Sequence, residues 1–392
     1  PLWRTRRPGL ASRRTGLLAF VLLSFQKPVP YIVQMCYTMT MFVQIGYHSA
    51  LGFLRTLDGP QKALPLPVRG KGTPSAESPR APAKSLVESL LEASGLDIES
   101  LVVVPDLGSD SLHLVVPDAS CRNRVDGCSF HVWRPPGSTK SFYRVGSSVF
   151  ASSLEACFLQ MATLLPFADL VRVGFELCGR YALSSRDPRG FETRAMPLTT
   201  CVALRGYVDK ARGMRGSKKA RQALAFVAEG SASPMETALA MLLCLPRAQG
   251  GYGLPLPLLN HEVVLRSARK TAWKKTYCCD LFWPEGSLAV EYDSDMFHTG
   301  SKRIAHDSKR RNALLSAGIA VVTVTTAQIK DAREIDEIAV VLSQALGRRA
   351  RTSMKGLMTR RHELRRLLFS HASFPSPESD GDANASYEYV DL

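Results

Sequence analysis

Apolar and polar positions along residues 100–145 fall into short runs, "LVVV", "LHLVV", "FHVW" and "SFYRV", separated by turn-forming residues. That pattern predicts a succession of β-strands. The period then changes. Leu154–Leu165 and Asp169–Gly179 carry apolar residues at helical spacing, the second ending on a glycine, and Val202–Val227 reads as two further helical segments. Upstream, Ser85–Gly95 reads as a helix and Ile45–Leu57 as a short amphipathic one. Residues 59–84 between them are rich in Pro, Gly and Ser, the composition of a linker or long loop.

A clear helix start follows at Ser233-Pro234-Met235-Glu236. Serine caps, proline takes the first helical position and glutamate the third, which is a capping box. This helix is expected to reach Leu245, with residues 250–260 as a loop. Two strand runs come next, Tyr277–Trp283 and Ser287–Asp293, around the turn residues Pro284, Glu285 and Gly286. Then come a helix over Ile304–Ala317, a strand over Ile319–Thr325, a helix over Ala332–Leu346 and a last, very basic helix over Arg348–Leu368. The near-continuous apolar run Gly318–Thr325 suits a central buried strand. The expected organisation is an uncertain N-terminal segment (1–58), the linker (59–84), an α/β region of unknown role (85–230), a compact mixed α/β unit (231–348), a basic helix (349–370) and an acidic tail (371–392).

The second of these hairpin strands raises a chemical question. With Glu285-Gly286 as a two-residue loop, Asp280 and Glu291 are directly opposed, with Cβ atoms about 4.5–5.5 Å apart. Asp293 lies two residues on, on the same face. Like charges so close are destabilising unless offset, and a divalent cation offsets them directly. Mg²⁺ prefers one or two carboxylates plus waters and phosphate oxygens. The alternative is structural, with the acids paired to Arg or Lys or capping the next turn. His298 adjoins the cluster as a candidate general base or ligand. Lys302, Arg303, Lys309, Arg310 and Arg311 crowd the start of the following helix, whose dipole adds to a landing site for phosphate. Asp307 is placed to pair with Arg310 or Arg311 within that helix.

Charge strengthens the phosphate argument. The 392-residue chain carries a formal net charge of +15, although the final stretch holds Glu378, Asp380, Asp382, Glu388 and Asp391 with no Lys or Arg. A body this basic points to a polyanionic partner, nucleic acid above all. Lys210, Arg212, Arg215, Lys218, Lys219 and Arg221 form a dense basic patch of their own. The nine cysteines are odd in number and scattered, which fits reduced thiols in a cytoplasm. Cys121, Cys128 and His131 match no strong zinc spacing, and neighbouring Cys278 and Cys279 point to opposite faces of a strand. Near the start, the apolar run Gly16–Phe25 behind Ser12-Arg13-Arg14 has the look of a signal segment, but it is short of the ~20 residues a span needs. A membrane association is not favoured, and residues 1–34 are expected to lie upstream of the true start.

The stretches "SPMET", "CDLFWPEGSLAVEYDSDMFH", "HDSKRRNALLSAGI" and "VVTVTT" together resemble the very-short-patch-repair-endonuclease-like branch of the PD-(D/E)XK nuclease superfamily, and more closely the domain of unknown function 559 group. Chains of that group often carry the label of AbiEi-type antitoxins or regulators. The likeness covers residues 233–346. It implies an α/β fold with a C-terminal restriction-endonuclease-like mixed sheet flanked by helices, preceded by an α+β region. It further implies that Asp280 and Glu291 hold Mg²⁺ or Mn²⁺ with the backbone carbonyl of Tyr292, that Glu236 reaches the same site, and that the substrate is DNA. One departure stands out: the superfamily's usual lysine, two residues after the glutamate, is Asp293 here, with His298 as a substitute base. Thr323 also stands where relatives often place a basic residue. Upstream, "LEACFLQMA", "GFELCGRY" and "NHEVVL" resemble bacterial proteins with the same C-terminal domain and add no activity. The expected function is a metal-dependent DNA endonuclease-like protein, or alternatively a DNA-binding regulator or antitoxin that keeps the fold without catalysis. A toxin partner and a homodimer both stay open.

Overall fold

The structure is a computed structural model. It describes residues 42–57, 67–69, 84–122, 124–137, 139–266, 274–293, 301–349 and 356–369, by their backbone alone at 67–69, 105, 266, 274 and 301–307. His298, residues 1–34 and the tail 371–392 lie outside the described residues, as do the side chains of Lys302, Arg303 and Asp307.

The chain forms a mixed α/β fold. A six-stranded sheet has the order β2-β5-β6-β1-β3-β4, with β1 (Val43–Ile45), β2 (Pro67–Arg69), β3 (Leu112–Val116), β4 (Cys128–Val132), β5 (Lys140–Arg144) and β6 (Val149–Ser152). Strand β1 runs parallel to β6 and antiparallel to β3. Residues 42–57, part of the segment left uncertain from sequence, therefore supply an inner strand. It continues into α1 (Tyr47–Arg55), in which Tyr47–Leu54 are all buried. The amphipathic reading of this helix fails because it is covered on every side. The junction is tight: a Cβ on Gly46 would lie 2.3 Å from the Val115 side chain, so only glycine fits there. The expected linker likewise contributes strand β2, paired with β5. The run "LVVV" is not a strand; it falls in α3 (Ile98–Val102), capped by Asp97, and in the bridge residue Val104. Helix α2 (Lys84–Ala93) precedes it.

Helices α4 (Leu154–Met161) and α5 (Phe167–Leu177) follow, then the small hairpin of β7 (Tyr181–Leu183) and β8 (Phe191–Thr193), and then α6 (Cys201–Lys210) and α7 (Ser217–Leu224). Helix α8 (Pro234–Cys244) is buried along its whole length, as a helix apolar on all faces must be. One hydrophobic core runs from Val43 through Leu239 to Leu368. The boundary expected near residue 230 is therefore not a boundary between separate cores.

The C-terminal sheet has the order β12-β11-β10-β9, built from β9 (Leu258–Arg266), β10 (Lys274–Trp283), β11 (Leu288–Asp293) and β12 (Ala320–Thr325). It is mixed: β9, β10 and β11 are antiparallel, and β12 is parallel to β11. Strand β9 was not expected from sequence. Strand β12 is an edge strand rather than a central one, and Val324 is its one buried residue. Periodicity cannot distinguish an apolar edge covered by helices from a centre. Helix α9 (Ser301–Ser316) connects β11 to β12, and α10 (Thr326–Lys330), α11 (Ala332–Ala345) and α12 (Leu357–Phe369) complete the fold. Among the described residues no helix is long and apolar enough to cross a membrane.

Candidate metal centre

The hairpin pairs Leu281 with Val290, Phe282 with Ala289 and Trp283 with Leu288. Continued by one position this register sets Asp280 beside Glu291, although the paired ladder itself ends at Leu281 and Val290. The turn is longer than two residues: Pro284–Gly286 form a 3₁₀ turn and Ser287 takes φ 43°. The loop widens symmetrically about the same centre, so the register survives the different turn.

Around Asp280 the sheet is irregular. Cys279 packs with Leu314 and Ile319 in a small cluster against α9, whereas Leu281 and Trp283 enter the main core. On β9, Leu259 goes to the main core and Val263 and Leu265 to the small cluster. Residues two apart on a regular strand share a face, so both strands change face at the Asn260–Asp280 position. The ladder pairs Cys279 with His261 and Leu281 with Leu259 but omits the residues between them. Asn260 has φ 47°, a left-handed conformation that Asn tolerates better than most residues. Breaks of this kind re-aim side chains.

The re-aimed Asp280 carboxylate accepts the amide of Tyr292 at 2.8 Å, across the hairpin. Burial raises its pKa, opposed by that amide and by Arg310. Burial also pushes Glu291 up to about 7, with the Asp280 charge adding and Arg310 and the Cys279 thiol opposing. Glu291 Oε2 accepts from Arg310 Nη2 at 2.7 Å, while Oε1 is buried with no hydrogen-bond partner. The same Arg310 nitrogen donates to the carbonyl of Cys278.

Glu236 feels the charge of Asp280, which adds to the effect of burial in raising its pKa. Its carboxylate is already committed. Oε2 accepts from Ala232 N at 2.8 Å and Asn260 Nδ2 at 2.6 Å, and Oε1 from Ser233 Oγ at 3.0 Å. Ser233 caps α8 through the Glu236 amide as expected, but the carboxylate returns to Ala232 rather than to the cap residue's own N–H. Asn260 also donates to Gly230 O at 3.1 Å, tying β9 to the start of α8. Asn260→Ala is expected to destabilise by about 2 kcal/mol, from a lost bond to a charged group plus left-handed strain. Asn260→Gly should recover the backbone part, read from urea unfolding of the two variants.

The other expected residues are placed as follows. Tyr292 pairs its hydroxyl with Thr326 Oγ1 at 2.8 Å. Asp293 closes β11, exposed, in register with Thr325. Lys309 and Arg311 are exposed on α9, and Arg311 donates to Thr323 Oγ1 at 3.1 Å. Arg310 pairs with Glu291, because the helix packs it onto the hairpin; the expected pairing of Asp307 with Arg310 or Arg311 lies outside the described side chains. Cys278 is exposed and Cys279 buried, as strand alternation requires. Among the described residues no group of three or more His, Cys, Asp or Glu converges on a metal position. That includes Cys121, Cys128 and His131: His131 instead meets His113, Nε2 to Nδ1, at 2.9 Å. What the hairpin offers is a two-carboxylate site. Sequence reasoning missed Asn260 and the role of Arg310. Asn at the end of a presumed loop was the available signal for the first, and nothing local marked the second.

No family model matches the chain. It is similar to two curated proteins of Mycobacterium tuberculosis, Uncharacterized protein MT2308 (strain CDC 1551 / Oshkosh) and Uncharacterized protein Rv2248 (strain ATCC 25618 / H37Rv). Each is 27% identical over 167 residues, 42% of this chain and 56% of the relative. The chain thus spans about half the length of the curated relatives it matches. No solved structure matches.

Proposed function

We propose that the chain is a Mg²⁺- or Mn²⁺-dependent DNA endonuclease-like protein with Asp280 and Glu291 at its centre. The observation that carries this reading is Glu291: a half-buried carboxylate beside Asp280, with Oε1 buried and reached by no N–H or O–H donor. Buried polar atoms are normally satisfied, and an orphan asks for a ligand such as an ion or water. Two carboxylates with open positions suit Mg²⁺, which keeps waters and substrate oxygens in its shell. When bound, such a cation supplies Lewis-acid polarisation of a phosphoryl oxygen and offsets the charge of the transition state. Asp280, held by the Tyr292 amide, and Glu291 would bind it. Lys309 and Arg311 would hold the phosphate backbone. The likeness to the nuclease branch agrees with these roles, and so does the net charge of +15. Of the basic patch on α6 and α7, Arg221 pairs with Asp209 and Lys219 donates to Leu165 O, leaving Lys210, Arg212, Arg215 and Lys218 exposed to solvent.

The test is a supercoiled-plasmid assay across Mg²⁺ and Mn²⁺, set beside calorimetric titration of the same ions. Nicking and ion binding are expected from the wild type and are expected to vanish in Asp280→Ala. Equal background cleavage by both proteins would defeat the enzyme reading. A second reading, a DNA-binding regulator without catalysis, is favoured by Asp293 at the usual lysine position and by Arg310 already seated on Glu291. It predicts DNA binding that weakens steeply with salt and no cutting.

A further inference from the structure

We infer that Arg310 is a built-in competitor for the divalent cation: a positioning residue that holds Glu291 in the ion-free protein and is released toward the nucleic-acid backbone when the ion binds. This rests on the two-carboxylate reading above and concerns the regulation of that site. From α9, the Arg310 guanidinium reaches both strands of the hairpin, Glu291 Oε2 on β11 at 2.7 Å and the Cys278 carbonyl on β10. It therefore spans the Asp280–Glu291 position, and both carboxylates feel its charge. A dication bound there would sit within a few ångströms of a like charge, in a half-buried setting where such repulsion is strong. The two cations also share one carboxylate, with Arg310 on Glu291 Oε2 and Oε1 left for the ion.

Release is sterically open. The Arg310 side chain is 30% exposed whereas Glu291 is 14% exposed, so the arginine can leave and the glutamate stays. On leaving, it joins Lys309 and Arg311 on the same helix. Because coupling between two binding events is reciprocal, whatever weakens the hold of Arg310 on Glu291 strengthens the hold on the ion.

Calorimetric titration of Mn²⁺ into the full chain tests this, with free Mn²⁺ followed by electron paramagnetic resonance. Arg310→Gln is expected to bind Mn²⁺ about tenfold tighter than the wild type, the effect of removing one modest competing interaction. Unchanged or weaker binding by Arg310→Gln, with the wild type binding normally, overturns the inference and leaves the metal reading standing. No binding by either protein overturns the metal reading and the inference together. Circular dichroism and a thermal midpoint establish that the variant is folded. Should it not fold, Arg310→Lys carries the test. A strongly hydrated ammonium on a flexible stem holds Glu291 less firmly than the guanidinium does, so tightening of a few-fold is expected, and none overturns the proposal.

Discussion

Replacing Arg55 with alanine is expected to cost about 3–5 kcal/mol of folding stability, the range found when one member of a buried ion network is removed. The guanidinium ends α1 and grips two acids. Nε donates to Glu176 Oε1 at 2.8 Å and Nη2 to Glu176 Oε2 at 2.9 Å; Nη1 and Nη2 donate to Asp106 Oδ1 and Oδ2 at 2.6 and 2.8 Å. All three side chains are at most 10% exposed. Glu176 belongs to α5, so these bonds tie the N-terminal helix to the centre of the fold. Without Arg55, Asp106 would retain Arg172 at 3.5 Å and Glu176 the Leu183 amide at 3.0 Å. Lysine would not rescue, since one ammonium cannot serve two carboxylates bidentately. The check is the free energy of urea unfolding; a loss below ~1 kcal/mol would mean that apolar packing, and not this network, anchors α1.

The second large effect is acid lability centred on three histidines. His113 and His131 stack with ring centroids 5.0 Å apart, and His48 lies 4.6 Å from His113. Burial, reinforced by the neighbouring imidazoles, pushes His113 down to about 3 and His131 to about 4. His48 is also lowered, mainly by burial, although Asp106 opposes this. A histidine whose folded pKa lies below its unfolded value stabilises the fold fully above the unfolded value. That stability is lost as pH falls from about 6.5 toward 3–4. At about 1.4 kcal/mol per pKa unit, His113 alone contributes about 2 kcal/mol after halving for solvent reach. Glu291 works in the opposite sense, because its raised pKa favours the fold as it protonates below about 7. Measuring unfolding from pH 7.5 to 4 in a Glu291→Gln background removes the opposing contribution of Glu291, while the raised Asp280 and Glu236 remain in both proteins. His48→Phe is the sharper variant. Both His48 ring nitrogens are buried without a partner, so an apolar ring of similar shape should be neutral or stabilising at pH 7.5 and should flatten the acid limb. A destabilised His48→Phe with an unchanged acid limb would remove the histidines from the account.

Much of the C-terminal half was legible because its signals are local. Ser233 and Pro234 open α8 where capping chemistry requires it, and the hairpin keeps the centre that its turn residues set, which brings the acids at 280 and 291 together. The mixed character of the sheet follows from the helix between "LAVEYD" and "AVVTVT". The N-terminal half was legible only in fragments. "LVVV" went to a helix and a bridge, and α1 hid its nature, because a helix covered on all sides has no polar face for a period to reveal.

By itself the sequence determined the basic charge, the caps and the register that brings Asp280 to Glu291, since each depends on residues close in the chain. Only the tertiary structure decided that residues 43–55 lie at the heart of the first sheet, that Asn260 and Asp280 break the strands and re-aim the carboxylate, and that Arg310 sits on Glu291. Each of those is a contact between residues far apart in sequence, set by how α9 and β9 pack on the hairpin, and no local pattern encodes such packing.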